Sequence, residues 1–149
     1  MPKPKRGKKE GEKYVPVPVN PLPAPTADAE EHLRAFIAAF IQAPPRYRWE
    51  HCLIEAPEKA QERLGHFHID LDPAHYRYLR GAERFPLQLA SVYGNPIGVF
   101  FDGKPARLVT AAEAATLATD DFSNALLSLV PGKRVLCFDH EGGVWACER

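Results

Sequence analysis

Proline placement divides this chain. Pro2, Pro4, Pro16, Pro18, Pro21, Pro23 and Pro25 are seven of its fifteen prolines. Proline fixes φ and removes a backbone donor, so so dense a run enters neither a helix interior nor a central strand. Residues 15–25 alternate proline with small or apolar residues and are expected to run as extended polyproline II. The expected organisation is therefore a basic, proline-rich tail over residues 1–25 and a single domain over 26–149. A domain of roughly 120 residues buries a core without disulfides or structural metal.

Charge follows the same division. Lys3, Lys5, Arg6, Lys8, Lys9 and Lys13 face Glu10 and Glu12, six cations against two carboxylates, a net of +4. The whole chain has a formal charge of zero, so the remainder carries −4. A basic arm on a mildly acidic body makes Lys3, Lys5, Arg6, Lys8 and Lys9 the first expected contacts for a partner. Nucleic acid held this way is bound weakly and without sequence preference, because flexible cations neutralise phosphates without reading bases. The N-terminus has no apolar signal core and no stretch reaches a membrane span, so a cytoplasmic protein with no membrane contact is expected. Cys52, Cys137 and Cys147 are odd in number and form no C-x-x-C pair, which favours free buried thiols.

Periodicity supplies the elements. Leu33, Phe36, Ile37, Phe40 and Ile41 recur at helical spacing, giving a helix over 28–42 with a capping box at Asp28 and Glu31, stopped by Pro44 and Pro45. Residues 47–55 are aromatic and apolar and read as a strand. Residues 57–65 suit one or two helical turns. Phe67, Ile69 and Leu71 alternate with His66, His68, Asp70 and Asp72, the pattern of a half-buried strand. Asp72-Pro73 caps a short helix expected to reach residue 80. Residues 87–93 and 97–101 read as strands, and Asp102-Gly103 turns the second into 106–109. Thr110 and Glu113 form a capping box opening an alanine-rich helix. Phe122, Ala125, Leu126, Leu129 and Val130 continue it or form a second amphipathic helix. Residues 134–139 and 144–147 close a last hairpin. Helices interspersed with hairpins give an α+β fold: a mostly antiparallel sheet packed against two or three helices.

Two chemistries compete for this scaffold. His66 and His68 would share a strand face, and His51 would join them if strands 47–55 and 66–72 paired, giving three imidazoles for one divalent metal with Asp70 behind them. His66-Phe67-His68 resembles the histidine–hydrophobic–histidine motif of HUH-type nucleases, a resemblance of three residues. It implies a divalent metal that positions a phosphate for attack by a tyrosine, with Tyr76 or Tyr78 as nucleophile. The other reading needs no cofactor: His66 and His68 line a solvated strand face, and Asp72 serves as a helix cap. The sequence holds no G-x-S-x-G elbow and no phosphate-binding loop. The preferred reading is a small intracellular binding or accessory protein working through protein contacts: an adaptor, inhibitor, immunity-type protein or peripheral subunit. Its expected contacts are the basic tail and, within residues 46–49, Arg46 and Trp49; if exposed, Arg46, Tyr47, Arg48 and Trp49 would suit single-stranded nucleic acid, the competing reading being a strand that packs its aromatic face. A metal-dependent phosphodiesterase or DNA-strand nuclease is the alternative.

Overall fold

The computed structural model describes residues 22–79, 97–118 and 123–149. Among them, seven strands form one sheet: β1 (Leu22–Pro23), β2 (Tyr76–Leu79), β3 (Gly98–Phe101), β4 (Arg107–Val109), β5 (Ala125–Val130), β6 (Arg134–Phe138) and β7 (Val144–Glu148). Their order is β1-β4-β3-β5-β6-β7-β2, and every neighbouring pair is antiparallel. The helices are α1 (Thr26–Phe40), α2 (Arg46–Glu50), α3 (Ala60–Leu64), α4 (Phe67–Asp70) and α5 (Ala111–Ala118). A π-helical turn, His51–Glu55, prolongs α2, and single 3-10 turns occupy Pro57–Lys59 and Pro73–His75. The α+β class and the antiparallel sheet are as the sequence implied.

The sheet is covered on both faces. Val99, Phe101, Leu126, Val135, Cys137, Trp145 and Cys147 pack into one core with Leu33, Phe36, Ile37, Phe40, Trp49, Leu53, Leu64 and Phe67 of the helices from α1 to α4. Phe100, Leu127, Leu136, Phe138 and Val144 point the other way and pack with Ala114 of α5 and Leu79 of β2. Alternation along each strand thus feeds two apolar layers instead of one apolar and one wet layer.

This double cover explains one correction. The expected helix over 122–130 is strand β5 from Ala125 onward, and Phe122 lies outside the described residues. Residues 125–127 are all buried because each face of β5 has a layer above it. A strand buried on both sides reads as a continuous apolar run, which periodicity alone does not separate from a buried helix.

Residues 47–55 are helical, not a strand. Trp49, Leu53, Ala56, Ala60, Leu64 and Phe67 recur at steps of three or four, and all six are buried. That long helical register outweighs the local strand-like composition. Pro57 opens the 3-10 turn that lets the register resume in α3. The expected strand over 66–72 is instead the short helix α4, Phe67–Asp70, followed by extended Leu71 and Asp72. Phe67 and Leu71, four apart, are buried, whereas Ile69 between them is 56% exposed. Leu71 then makes an isolated antiparallel bridge with Ile41, tied by Gln42 N–H to the Asp70 carbonyl at 2.9 Å and Asp72 N–H to the Phe40 carbonyl at 2.8 Å.

Capping behaved unevenly. Asp72 Oδ1 accepts from Ala74 N–H at 3.0 Å, but the helix it opens is one 3-10 turn, after which Tyr76 enters β2 beside β7. Thr110 and Glu113 form the expected reciprocal box: Thr110 Oγ1 accepts from Glu113 N–H at 3.1 Å, and Glu113 Oε1 accepts from Thr110 N–H at 2.9 Å. The expected box at Asp28 and Glu31 does not form, since α1 starts after Pro25 with no side-chain cap. Gly103 (φ +100°) makes the β3–β4 turn as expected. The tail expected over 1–25 lies outside the described residues through residue 21, as does the strand expected over 87–93; the tail's last residues are not free, since Leu22–Pro23 form edge strand β1 against β4 and Ala24 N–H donates to the Ala106 carbonyl at 2.9 Å. No described helix is long and apolar enough to cross a membrane.

Candidate functional site

The three histidines of the metal reading sit in helical backbone, where residues two apart project in nearly opposite directions. His51 lies in the π-helical turn with Nδ1 3.0 Å from Glu55 Oε1. His66, just before α4, donates from Nδ1 to the Glu62 carbonyl at 3.0 Å. His68 is exposed within α4. The strand pairing that would have gathered them does not exist, and no group of three or more His, Cys, Asp or Glu side chains placed to hold a metal occurs among the described residues. Asp70, expected behind the metal, is buried and accepts from Trp49 Nε1–H at 2.8 Å, with Arg63 Nη1 at 3.4 Å. Tyr76 and Tyr78 lie in β2 opposite Cys147 and Trp145. The Tyr78 ring meets Trp145 edge-on at 5.2 Å.

Trp49, expected on a partner surface, is a core residue. It packs against Phe36 at 6.0 Å and Phe67 at 5.6 Å, and Phe67 in turn reaches Trp145 at 5.9 Å. This aromatic chain joins α1, α2 and α4 to the sheet. The exposed aromatic of the segment is Tyr47, two positions earlier and hence on the opposite side of the helix, 64% exposed.

Arg46 and Arg48 flank that ring, and each is held through Nε. Arg46 Nε donates to the Ile41 carbonyl at 2.8 Å. Arg48 Nε donates to the Tyr47 hydroxyl at 3.0 Å, with its guanidinium carbon 5.4 Å from the Tyr47 ring centre. Gln42 Nε2 donates to the Ile69 carbonyl at 3.0 Å, holding the backbone at exposed Ile69 beside Gln42, just past the end of α1. Tyr47 and two arginines therefore share the first turn of α2, an element whose other side is locked into the core, and Ile69 lies by Gln42, ahead of that turn. Lys3, Lys5, Arg6, Lys8 and Lys9 lie outside the described residues. The sequence reading named Tyr47 within its segment but placed it on a strand, and it missed Ile69; the helical register from Trp49 to Phe67 was the signal that would have turned both outward.

A second concentration of polar groups binds loops together. Gln61 of α3 donates from Nε2 to the Asp102 carbonyl and, at 2.7 Å, to the Asn124 carbonyl. Its Oε1 accepts from Asn124 N–H at 2.8 Å. Asn124 Oδ1 accepts from His140 N–H at 2.8 Å and lies 3.1 Å from His140 Nδ1. The β3–β4 turn, the lead into β5 and the β6–β7 turn are all fastened here. Elsewhere, Ser128 of β5 is fully buried, with His32 Nδ1 of α1 2.7 Å from its hydroxyl. Burial holds the His32 imidazole below its usual pKa, against the upward pull of Glu31 and Asp28. Cys137 and Cys147 are free buried thiols with sulfurs 4.0 Å apart, and burial foremost raises the Cys137 pKa well above the ordinary thiol value. Fully buried, Ser128 and Cys137 offer no exposed nucleophile.

No protein-family model, curated protein or solved structure matches the chain.

Proposed function

We propose that this chain is a small binding or accessory protein of the cell interior, acting through protein–protein contacts as an adaptor, inhibitor, immunity-type protein or peripheral subunit. The observation that supports the reading is the surface at the start of α2. A tyrosine more than half exposed shares the first turn of α2 with two arginines, and an isoleucine, also more than half exposed, lies by Gln42 just ahead of it. Tyrosine and arginine are the residue types that most often anchor interfaces. Trp49 and Leu53 hold the same helical segment in the core, so the exposed groups are presented on a fixed element and little ordering entropy is lost on docking.

The test is crosslinking capture from the native host with full-length bait, comparing wild type, a Tyr47→Ala/Ile69→Asp variant and an Arg134→Gln control on β6. Loss of one defined partner in the double variant alone, with circular dichroism and thermal midpoint unchanged, supports the reading. A partner set identical across all three baits overturns it.

A further inference from the structure

The described arginines differ in what holds them, and Arg149 Nη1 reaches the Ala39 carbonyl at 3.2 Å. Arg34 faces Glu30 and Glu50 at 3.8 and 3.6 Å, Arg63 faces Asp70 at 3.4 Å, Arg134 faces Glu148 at 3.5 Å, and Arg107 pairs with Asp102. Arg46 and Arg48 have no carboxylate within 4.0 Å among the described residues. They bond instead to a carbonyl and a phenol, both neutral, and both through Nε. Nearby carboxylates are already engaged: Glu50 by Arg34 and Glu55 by His51.

A guanidinium pinned through Nε keeps its two terminal nitrogens as donors, a planar fork that matches the two oxygens of a carboxylate. The Arg48 fork lies against the Tyr47 ring, Arg46 stands on the other side of Tyr47 in the sequence, and Ile69 adds exposed apolar surface beside Gln42. We propose that the Arg46–Arg48 turn is a docking site for an acidic protein segment. Its carboxylates pair with the terminal nitrogens of Arg46 and Arg48, and an intervening apolar side chain rests on Tyr47. The inference rests on the binding reading above and names the chemistry of its partner. Charge complementarity carries it: a positive site on a body whose sequence outside residues 1–13 sums to −4 selects an acidic strip and repels other acidic surfaces. A nucleic-acid backbone fits less well, because it presents phosphates continuously, and here two cations are followed within two turns by Glu50 and Glu55.

The experiment uses the full-length chain and fluorescence anisotropy with three probes: a labelled peptide alternating glutamate with leucine, its glutamine–leucine counterpart, and a short oligothymidylate. Wild type is expected to prefer the glutamate peptide, with affinity falling about tenfold in Arg48→Gln and further in Arg46→Gln/Arg48→Gln, and falling as salt is raised. Arg48 is the safer single change, since its contacts are with Tyr47 alone. Replacing Lys3, Lys5, Arg6, Lys8 and Lys9 together by glutamine should leave the difference between Arg48 variants intact. No binding of the glutamate peptide, equal affinity for the glutamine peptide, preference for oligothymidylate, or affinity that follows the tail substitutions instead of Arg46 and Arg48 would each overturn the proposal. If Tyr47→Ala/Ile69→Asp abolishes partner capture while Arg46→Gln/Arg48→Gln changes neither capture nor peptide binding, the docking surface stands and its acidic occupant fails.

Discussion

The indole N–H of Trp49 and the carboxylate of Asp70 meet at 2.8 Å inside the helical layer, and Arg63 approaches the same carboxylate oxygen. One carboxylate thereby fastens α2 and α3 to α4. Removing it leaves a buried donor and a largely buried guanidinium without their acceptor. Asp70→Ala is expected to cost about 3 kcal/mol. Trp49→Phe keeps most of the packing and loses the hydrogen bond, so its cost should be smaller, about 1–2 kcal/mol. Urea denaturation read by fluorescence and circular dichroism measures both, and an Asp70→Ala midpoint equal to wild type would remove this cluster from the account of the fold.

His32 gives the protein a pH dependence of definite sign. Its folded pKa is lowered, so the fold prefers the neutral imidazole. The unfolded chain binds the proton first, near the ordinary value of about 6.5. The stability contributed by neutral His32 is thus fully present above that pH and is lost as pH falls through the lower folded pKa. Thermal midpoints from neutral pH to about 5 should fall more steeply for wild type than for His32→Gln. Parallel curves would show that His32 titrates alike in both states.

Gly98 opens β3 where the neighbouring strand passes too close for a side chain. A Cβ there would run into the Ser128 carbonyl oxygen, and would lie 3.1 Å from the Ser128 carbonyl carbon and 3.2 Å from Leu129 Cα. These are backbone atoms of a strand paired on both sides, so they do not swing away. Gly98→Ala should destabilise by about 2 kcal/mol or more, although alanine is ordinarily better tolerated than glycine inside a strand. Denaturant titration of the variant decides this directly.

Gln61 fastens separate loops with one side chain, so its removal should be felt away from its own helix. Gln61→Ala leaves the Asn124 N–H and two carbonyls without these partners, at an expected cost of about 2–3 kcal/mol. Hydrogen exchange should rise at Asn124 and His140 before it rises in α1. Uniform change across the protein would mean the cost comes from general loosening instead of this junction.

Sequence legibility followed the number of layers each segment touches. Helix α1 has one apolar stripe and one wet face, and its helical spacing was readable directly. The β6–β7 hairpin carried its own turn signal and was also found. Strand β5 was misread because it is covered twice, which erases alternation. The segment from Trp49 to Phe67 was misread for another reason. Its helical register runs across five short elements and a proline, so no single window displays it, whereas Phe67-His68-Ile69-Asp70-Leu71 imitates a strand over five residues. The histidine site inherited that error, since it needed two strands that are helices. Arg46 was named from residue type alone. Tyr47 stood out by residue type too, but its outward side, and Ile69 altogether, became visible only once the helical register showed which side of each helix faces outward.

Covering both faces of the sheet also sets where this protein is free to change. Substitutions at the buried positions of β3, β5 and β6 disturb an apolar layer whichever way the side chain points, so those positions offer few sites for altering recognition without loosening the fold. The outward side of α2 is under no such constraint: Tyr47 and Arg48 touch each other and solvent. A library randomised at those two positions and Ile69 should return many folded members with altered binding, whereas one randomised at Leu126, Leu127 and Leu136 should return few folded members at all.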